Sequence, residues 1–180
     1  MKALGFGVLY ISSIVAANVL TAHTAPLVFG IFVVTSGTWL IAATFPLRDA
    51  VQLHTSRAFS YAAIVLALVC SAATSRALGD TLAITGASAL SFALSETLDT
   101  EAFTRLRGSL GRRVAFSGLV SGTLDSAVFC AIGLSPLGAG FVAWADLWKA
   151  ILAQIVTKGL VQVSVAPVAR LVFLMPRSAA

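Results

Sequence analysis

Apolar residues in this chain come in long runs separated by short polar stretches, and those runs set its organisation. Six of them read as helical spans: about Leu4 to Ala22, Leu27 to Phe45, Ala58 to Ser75, Thr81 to Leu98, Val114 to Leu134 and Leu147 to Met175, the last interrupted at Pro167. About 20 apolar residues carry a helix across a bilayer, and several runs reach that length. The stretches between them hold Pro26, Pro46, Arg76-Ala77-Leu78-Gly79-Asp80, a basic run ending Arg112-Arg113, and Ser135-Pro136, the punctuation of loops. The pattern predicts an all-α, polytopic membrane protein: one six-transmembrane-helix bundle over residues 1–180, with no separate soluble domain. The first run follows Lys2 as a signal peptide would. Its apolar stretch of about 18 residues is too long for one, and no small-x-small cleavage site follows, so it reads as a retained helix.

Composition strengthens this picture. The chain is 58% hydrophobic and 11% charged, where soluble domains carry about 25% charged residues. The net charge of +5 could suggest nucleic acid as a partner. In a chain of spans, basic residues mark cytoplasmic loops instead, so the expected surroundings are a lipid bilayer and no nucleic acid. With six spans, Lys2, Arg48, Arg57, Arg105, Arg107, Arg112, Arg113, Arg170 and Arg177 share one side, against Arg76 and Lys149 on the other. That bias places both termini in the cytoplasm. Cys70 and Cys130 fall inside apolar spans without the partners a disulfide or metal site needs, and read as packing residues.

The candidate chemistry lies in charges that an apolar span would normally exclude. Asp125 falls near the middle of the fifth span, with Ser117 and Ser121 at i−8 and i−4 on the same face. Lys158 falls in the sixth, with Gln154 and Gln162 at i−4 and i+4. A charge at the bilayer centre costs at least about 2.5–3.5 kcal/mol, so such groups face the bundle interior. An Asp125–Lys158 pair locking two helices is one reading; a polar cavity shared by the helices also accounts for the flanking serines and glutamines. Gly118-x-x-x-Gly122 lets backbones approach closely.

Glu96 and Asp99, at i and i+3, close the fourth run behind a stripe of Ser88, Ser91 and Ser95. A helix C-terminus repels anions, so a capping role is disfavoured. Glu96 is the better substrate candidate, and Asp99 could pair with Arg105 or Arg107. Asn18, late in the first span, could bridge helices or hold a ligand. Pro46 could open a short helix with Asp49 in its first turn. His23 and His54 show no ligand spacing. No phosphate-binding glycine loop, His-Glu-x-x-His or Gly-x-Ser-x-Gly motif occurs, so no enzyme or ATPase site and no cofactor is expected, and energy must come from an ion gradient or a separate protein.

Tyr10-x-x-Ser13 with Ala17-Asn18, Phe45-Pro46-Leu47-Arg48-Asp49, Ser95-Glu96-Thr97-Leu98-Asp99-Thr100, Ser121-Gly122-Thr123-Leu124-Asp125-Ser126 and a late Lys158 occur in that order. Together they resemble the queuosine precursor transporters, also called the VUT family, over nearly the whole chain. The resemblance implies a six-helix inner-membrane importer of 7-cyano-7-deazaguanine or a related deazaguanine in a prokaryote. A carboxylate, Glu96 or Asp125, would accept from the donor edge of that ring. Lys158, Asn18 or a glutamine such as Gln154 would face its carbonyl, and Phe92, Phe129 or Tyr10 could stack on it. Ala50 to Arg57 departs from the family pattern, with no acidic residue or glycine after Asp49. The rival reading is a substrate-binding membrane subunit of an ATP-driven importer for another vitamin-like molecule; a homo-oligomer or an energising partner fits either.

Overall fold

The apolar run from Leu27 to Phe45 does not form one helix. In the computed structural model, which describes residues 2–25, 27–29, 32–80 and 82–173, its first half pairs as two short antiparallel strands, β1 (Leu27–Phe29) and β2 (Phe32–Val34), in the register Leu27 to Val34 and Phe29 to Phe32. Valine and phenylalanine dominate this stretch, and β-branched and aromatic residues suit a pleated surface better than a helix. The helix then starts late, as α2 (Thr38–His54), and carries Phe45-Pro46-Leu47-Arg48-Asp49 in its interior. The other helices are α1 (Lys2–His23), α3 (Arg57–Ala77), α4 (Leu82–Arg105), α5 (Leu110–Phe129) and α6 (Leu147–Phe173). A π-helical turn, Cys130–Leu134, extends α5, and a 3-10 turn, Trp144–Asp146, precedes α6.

The expected six-transmembrane-helix bundle is corrected by these lengths and compositions. Six α-helices are present among the described residues, but three stretches are long and apolar enough to cross a membrane: Leu4–His23, Arg57–Ala77 and Leu110–Leu134. The chain is therefore an all-α-dominated, multi-pass protein with three candidate spans. α2 has 17 residues and holds Arg48 and Asp49. α4 is interrupted by Glu96, Asp99, Glu101 and many hydroxyls, and α6 by Lys149, Gln154, Lys158 and Gln162. The placement of both termini in the cytoplasm was argued from six spans, a count that the three candidate spans among the described residues do not supply. α6 continues through position 167 rather than breaking there, while Met175 and Arg177 lie outside the described residues.

The helices pack in a closed ring, α1 on α2, α2 on α6, α6 on α5, α5 on α4, α4 on α3 and α3 back on α1. Outward faces of the three apolar helices stay uncovered: Leu4, Val8 and Leu9 of α1, Val65, Leu66 and Val69 of α3, Phe116, Leu119 and Val120 of α5. Lipid tails cover such surface without penalty, which is why these faces need no polar residues. Inside, Tyr10, Ile14, Ala63, Ile64, Ala67 and Phe92 join α1, α3 and α4. Ala50, Phe103 and Val114 join α2, α4 and α5.

Pro46 lies inside α2, not at a helix start. Proline has no N–H and cannot bond the carbonyl four residues back, here that of Ala42. That carbonyl is taken instead by Gln162 of α6, whose Nε2 donates to it at 2.6 Å. Gly118 of α5 makes the arrangement fit, because a Cβ there would come within 2.5 Å of Gln162 Oε1. An interrupted backbone bond in one helix, a glutamine in a second and a glycine in a third thus form one structural unit.

Candidate functional site

The ring of helices encloses a cavity of about 350 Å³, to which α1 to α6 all contribute. Its wall is polar at the level of Asn18, Ser71, Ser75, Asp80, Ser88, Ser91, Asp125, Gln154 and Lys158, with Phe92, Phe129 and Phe141 as aromatic surfaces. The π turn starts after Phe129 and ends at Leu134, both of which line the cavity; single π turns within helices are frequent at functional sites.

Asp125 and Lys158 meet at this wall. Lys158 Nζ donates to Asp125 Oδ2 at 2.5 Å, to Ser126 Oγ at 3.0 Å and to Gln154 Oε1 at 3.5 Å. An ammonium has three protons to give, and all three are engaged. The Lys158 side chain is 3% exposed and that of Asp125 11%. Asp125 Oδ1 accepts no hydrogen bond among the described residues. The cavity therefore offers a carboxylate oxygen held by a fixed counter-charge, beside a glutamine amide whose oxygen is already committed. Gly122 leaves room for this pair, its hydrogen face lying against the Lys158 stem, where an added Cβ would sit 3.6 Å from Lys158 Cβ.

Asn18 bridges helices and stands at the cavity wall. Its amide donates to the Ser71 carbonyl and to Ser71 Oγ, each at 3.1 Å, tying α1 to α3, and the residue lines the cavity. Asp80 lines it too, and Ser75 Oγ donates to its carboxylate. That second carboxylate was hidden in the sequence, where Arg76-Ala77-Leu78-Gly79-Asp80 reads as an ordinary loop.

Glu96 and Asp99 are elsewhere. α4 runs on to Arg105, so the two carboxylates lie within the helix and not at its end, and both are fully buried. Neither lines the cavity. Their partner is Arg48, which the pattern of runs had placed in a loop. Arg48 is fully buried, with Nε 3.2 Å from Glu96 Oε2, Nη2 3.1 Å from Asp49 Oδ1, and Nη2 also on Asp99 Oδ2. Its Nη1 donates to Thr100 Oγ1 at 2.9 Å and to Gln52 Oε1 at 3.0 Å. Arg105 pairs with Glu101 at 3.0 Å rather than with Asp99. Glu101 also accepts from Arg57 and, at 2.7 Å, from the Tyr61 hydroxyl. The sequence signal for Arg48 was a basic residue three positions past a run of nonpolar residues with an acidic pair elsewhere in the chain. Only an α2 displaced toward its C-terminus by the strands puts it inside.

Tyr10 is fully buried and packs on Phe92 with ring centroids 6.4 Å apart, one layer behind the cavity wall. His54 stacks on Phe6 at 5.5 Å. Cys70 and Cys130 are free thiols, and among the described residues no cluster of His, Cys, Asp and Glu could hold a metal ion.

Against known proteins, the family described as "Putative vitamin uptake transporter" matches residues 6–172. No curated protein and no solved structure matches the chain significantly.

Proposed function

The chain belongs to the vitamin uptake transporter family and is a multi-pass membrane protein of that family; from this premise we propose that it imports a queuosine precursor, 7-cyano-7-deazaguanine or a related deazaguanine, across the cytoplasmic membrane of a prokaryote. The observation that carries the reading is the polar cavity in which Asp125 keeps one oxygen open while Lys158 holds the other. A deazaguanine presents a ring N–H and an exocyclic amine along one edge. A carboxylate accepts both in one charge-assisted, bidentate contact, about twice as strong as neutral hydrogen bonds. Gln154 and Asn18 stand at the same wall for the rest of the ring's polar edge, and Phe92 and Phe129 offer faces for stacking.

In this reading the substrate contacts are Asp125, Lys158, Gln154 and Asn18. Glu96 and Asp99, the sequence-based candidates for the same edge, are withdrawn from it because Arg48 holds them outside the cavity. Labelled 7-cyano-7-deazaguanine should enter cells that lack their own uptake when the chain is expressed. Asp125→Asn and Lys158→Ala should each abolish that uptake. Uptake surviving both changes at normal expression would sink the site.

A second reading follows from the family's description: a different vitamin-like solute, delivered with an ATP-driven partner. Asp80, a second carboxylate on the wall, favours a substrate with two donor groups set apart. Competition of labelled deazaguanine by a panel of vitamins separates the two, because the first reading expects displacement by guanine analogues alone.

A further inference from the structure

The Arg48 cluster is short of positive charge. Three carboxylates, those of Asp49, Glu96 and Asp99, surround one guanidinium, and all four side chains are fully buried. None of the six carboxylate oxygens accepts a properly aligned hydrogen bond from any side chain. Arg113, half-buried above Phe103, faces Asp49 and compensates part of the excess. At least one negative charge remains. An isolated ionised carboxylate in a dry interior is so costly that the group takes up a proton instead. A second observation comes from another helix. The Tyr10 hydroxyl of α1, fully buried and without a hydrogen-bond partner of its own, faces Glu96.

We propose that this cluster is a proton-binding site, separate from the substrate cavity, with the proton carried on Glu96 and its occupancy linked to the cavity through Asp125. Glu96 is the member least compensated. Asp99 pairs with Nη2 of the guanidinium, and Asp49 has Arg113 in addition to Arg48. Glu96 has one cation, Arg48 through Nε at 3.2 Å, and otherwise faces the neutral Tyr10 hydroxyl. The charged and titratable groups that face it are Tyr10 from α1, Arg48 and Asp49 from α2 and Asp125 from α5, with Asp99 one turn along α4. Lys158 of α6 acts through Asp125, and Tyr61 of α3 is engaged by Glu101. The path to the cavity is short on both sides: Tyr10 packs on Phe92, a wall residue, and Asp125 is itself at the wall. Buried carboxylates in membrane proteins serve as proton relays, and in an importer driven by an ion gradient, a role that rests on the transport reading, such a site gives the proton a place to bind.

Infrared spectroscopy of the purified chain in lipid tests the site without any substrate. Wild type should show a protonated carboxylic acid band at neutral pH that disappears as pH rises. Glu96→Gln should lose the band. Tyr10→Phe, which keeps the ring packing, should retain it but move its titration midpoint, and it stands in if Glu96→Gln does not fold. In Asp125→Asn the band should vanish at lower pH, because a neighbouring negative charge has gone and Lys158 is left uncompensated. A wild type without the band, a band that survives Glu96→Gln, or midpoints unmoved in both Tyr10→Phe and Asp125→Asn overturns the proposal. A normal band in a chain that moves no deazaguanine would fault the substrate assignment and leave the proton site standing.

Discussion

Two buried charge clusters sit in neighbouring layers of this molecule on opposite terms. Lys158 meets one carboxylate, with a serine and a glutamine taking its remaining protons, and the pair opens on a cavity. Arg48 meets three carboxylates, none of the four reaches solvent, and the acid is in excess. The difference teaches what each can do. A balanced pair at a wall can give one carboxylate oxygen to an incoming donor without exposing a bare charge. An unbalanced, sealed cluster can bind only something small enough to reach it and positive enough to neutralise it.

The largest effect should come from breaking the sealed cluster. Removing one partner of a buried ion pair destabilises by about 3–5 kcal/mol because the other charge is left uncompensated, and Arg48→Ala strands three carboxylates at once. Thermal unfolding in detergent should show little folded protein. Arg48→Lys should recover only part of the loss, since a point ammonium cannot span the fork that reaches Glu96, Asp49 and Asp99 together. Full stability in Arg48→Ala would mean that the cluster is already neutral without its cation.

The open pair should respond less. Lys158→Met leaves Asp125 with contact to cavity water, so the loss should be about 1–3 kcal/mol, the cost of a stranded polar group. The double change Lys158→Met with Asp125→Asn should restore much of that stability while uptake stays lost. A thermal-unfolding cycle run beside labelled uptake checks this, and a double variant that regains transport would reduce the pair to a helix lock.

The glycines that frame these clusters divide: Gly118 matches the open pair, and Gly122 carries the smallest effect. Gly118→Ala forces Gln162 off the Ala42 carbonyl, and an unsatisfied buried carbonyl costs about 1–3 kcal/mol. Gly122→Ala meets nothing closer than 3.6 Å and should be tolerated within about 0.5 kcal/mol, as substitutions free of such conflicts usually are. Equal melting temperatures for the two variants would show that Gln162 relocates without loss.

Much of the site was legible from spacing. Asp125, Lys158, Gln154 and Gln162 announce themselves as polar residues at helical intervals in apolar runs, and their helical phase puts them on facing surfaces of α5 and α6. Asn18 was legible as an intramembrane amide, and the structure makes it a bridge from α1 to α3 at the cavity wall. Arg48 was not legible, because its position depends on where α2 starts, and that depends on Leu27 to Val34 pairing as strands. Hydropathy reads strand and helix alike there. Asp80 was missed for a related reason: a turn residue shows nothing of which interior it is folded against.

The amino-acid order by itself determined that this is a helical membrane protein and which face of each helix carries its polar residues, because burial in lipid or in protein follows residue chemistry and the 3.6-residue period. It did not determine how many helices qualify as spans, nor which charge meets which. Those follow from helix register and from the closing of the ring, where residues 48 positions apart, Arg48 and Glu96, or 33 apart, Asp125 and Lys158, come within 3.2 Å and 2.5 Å. Charge pairing depends on distance in space, and only the packed helices supply it.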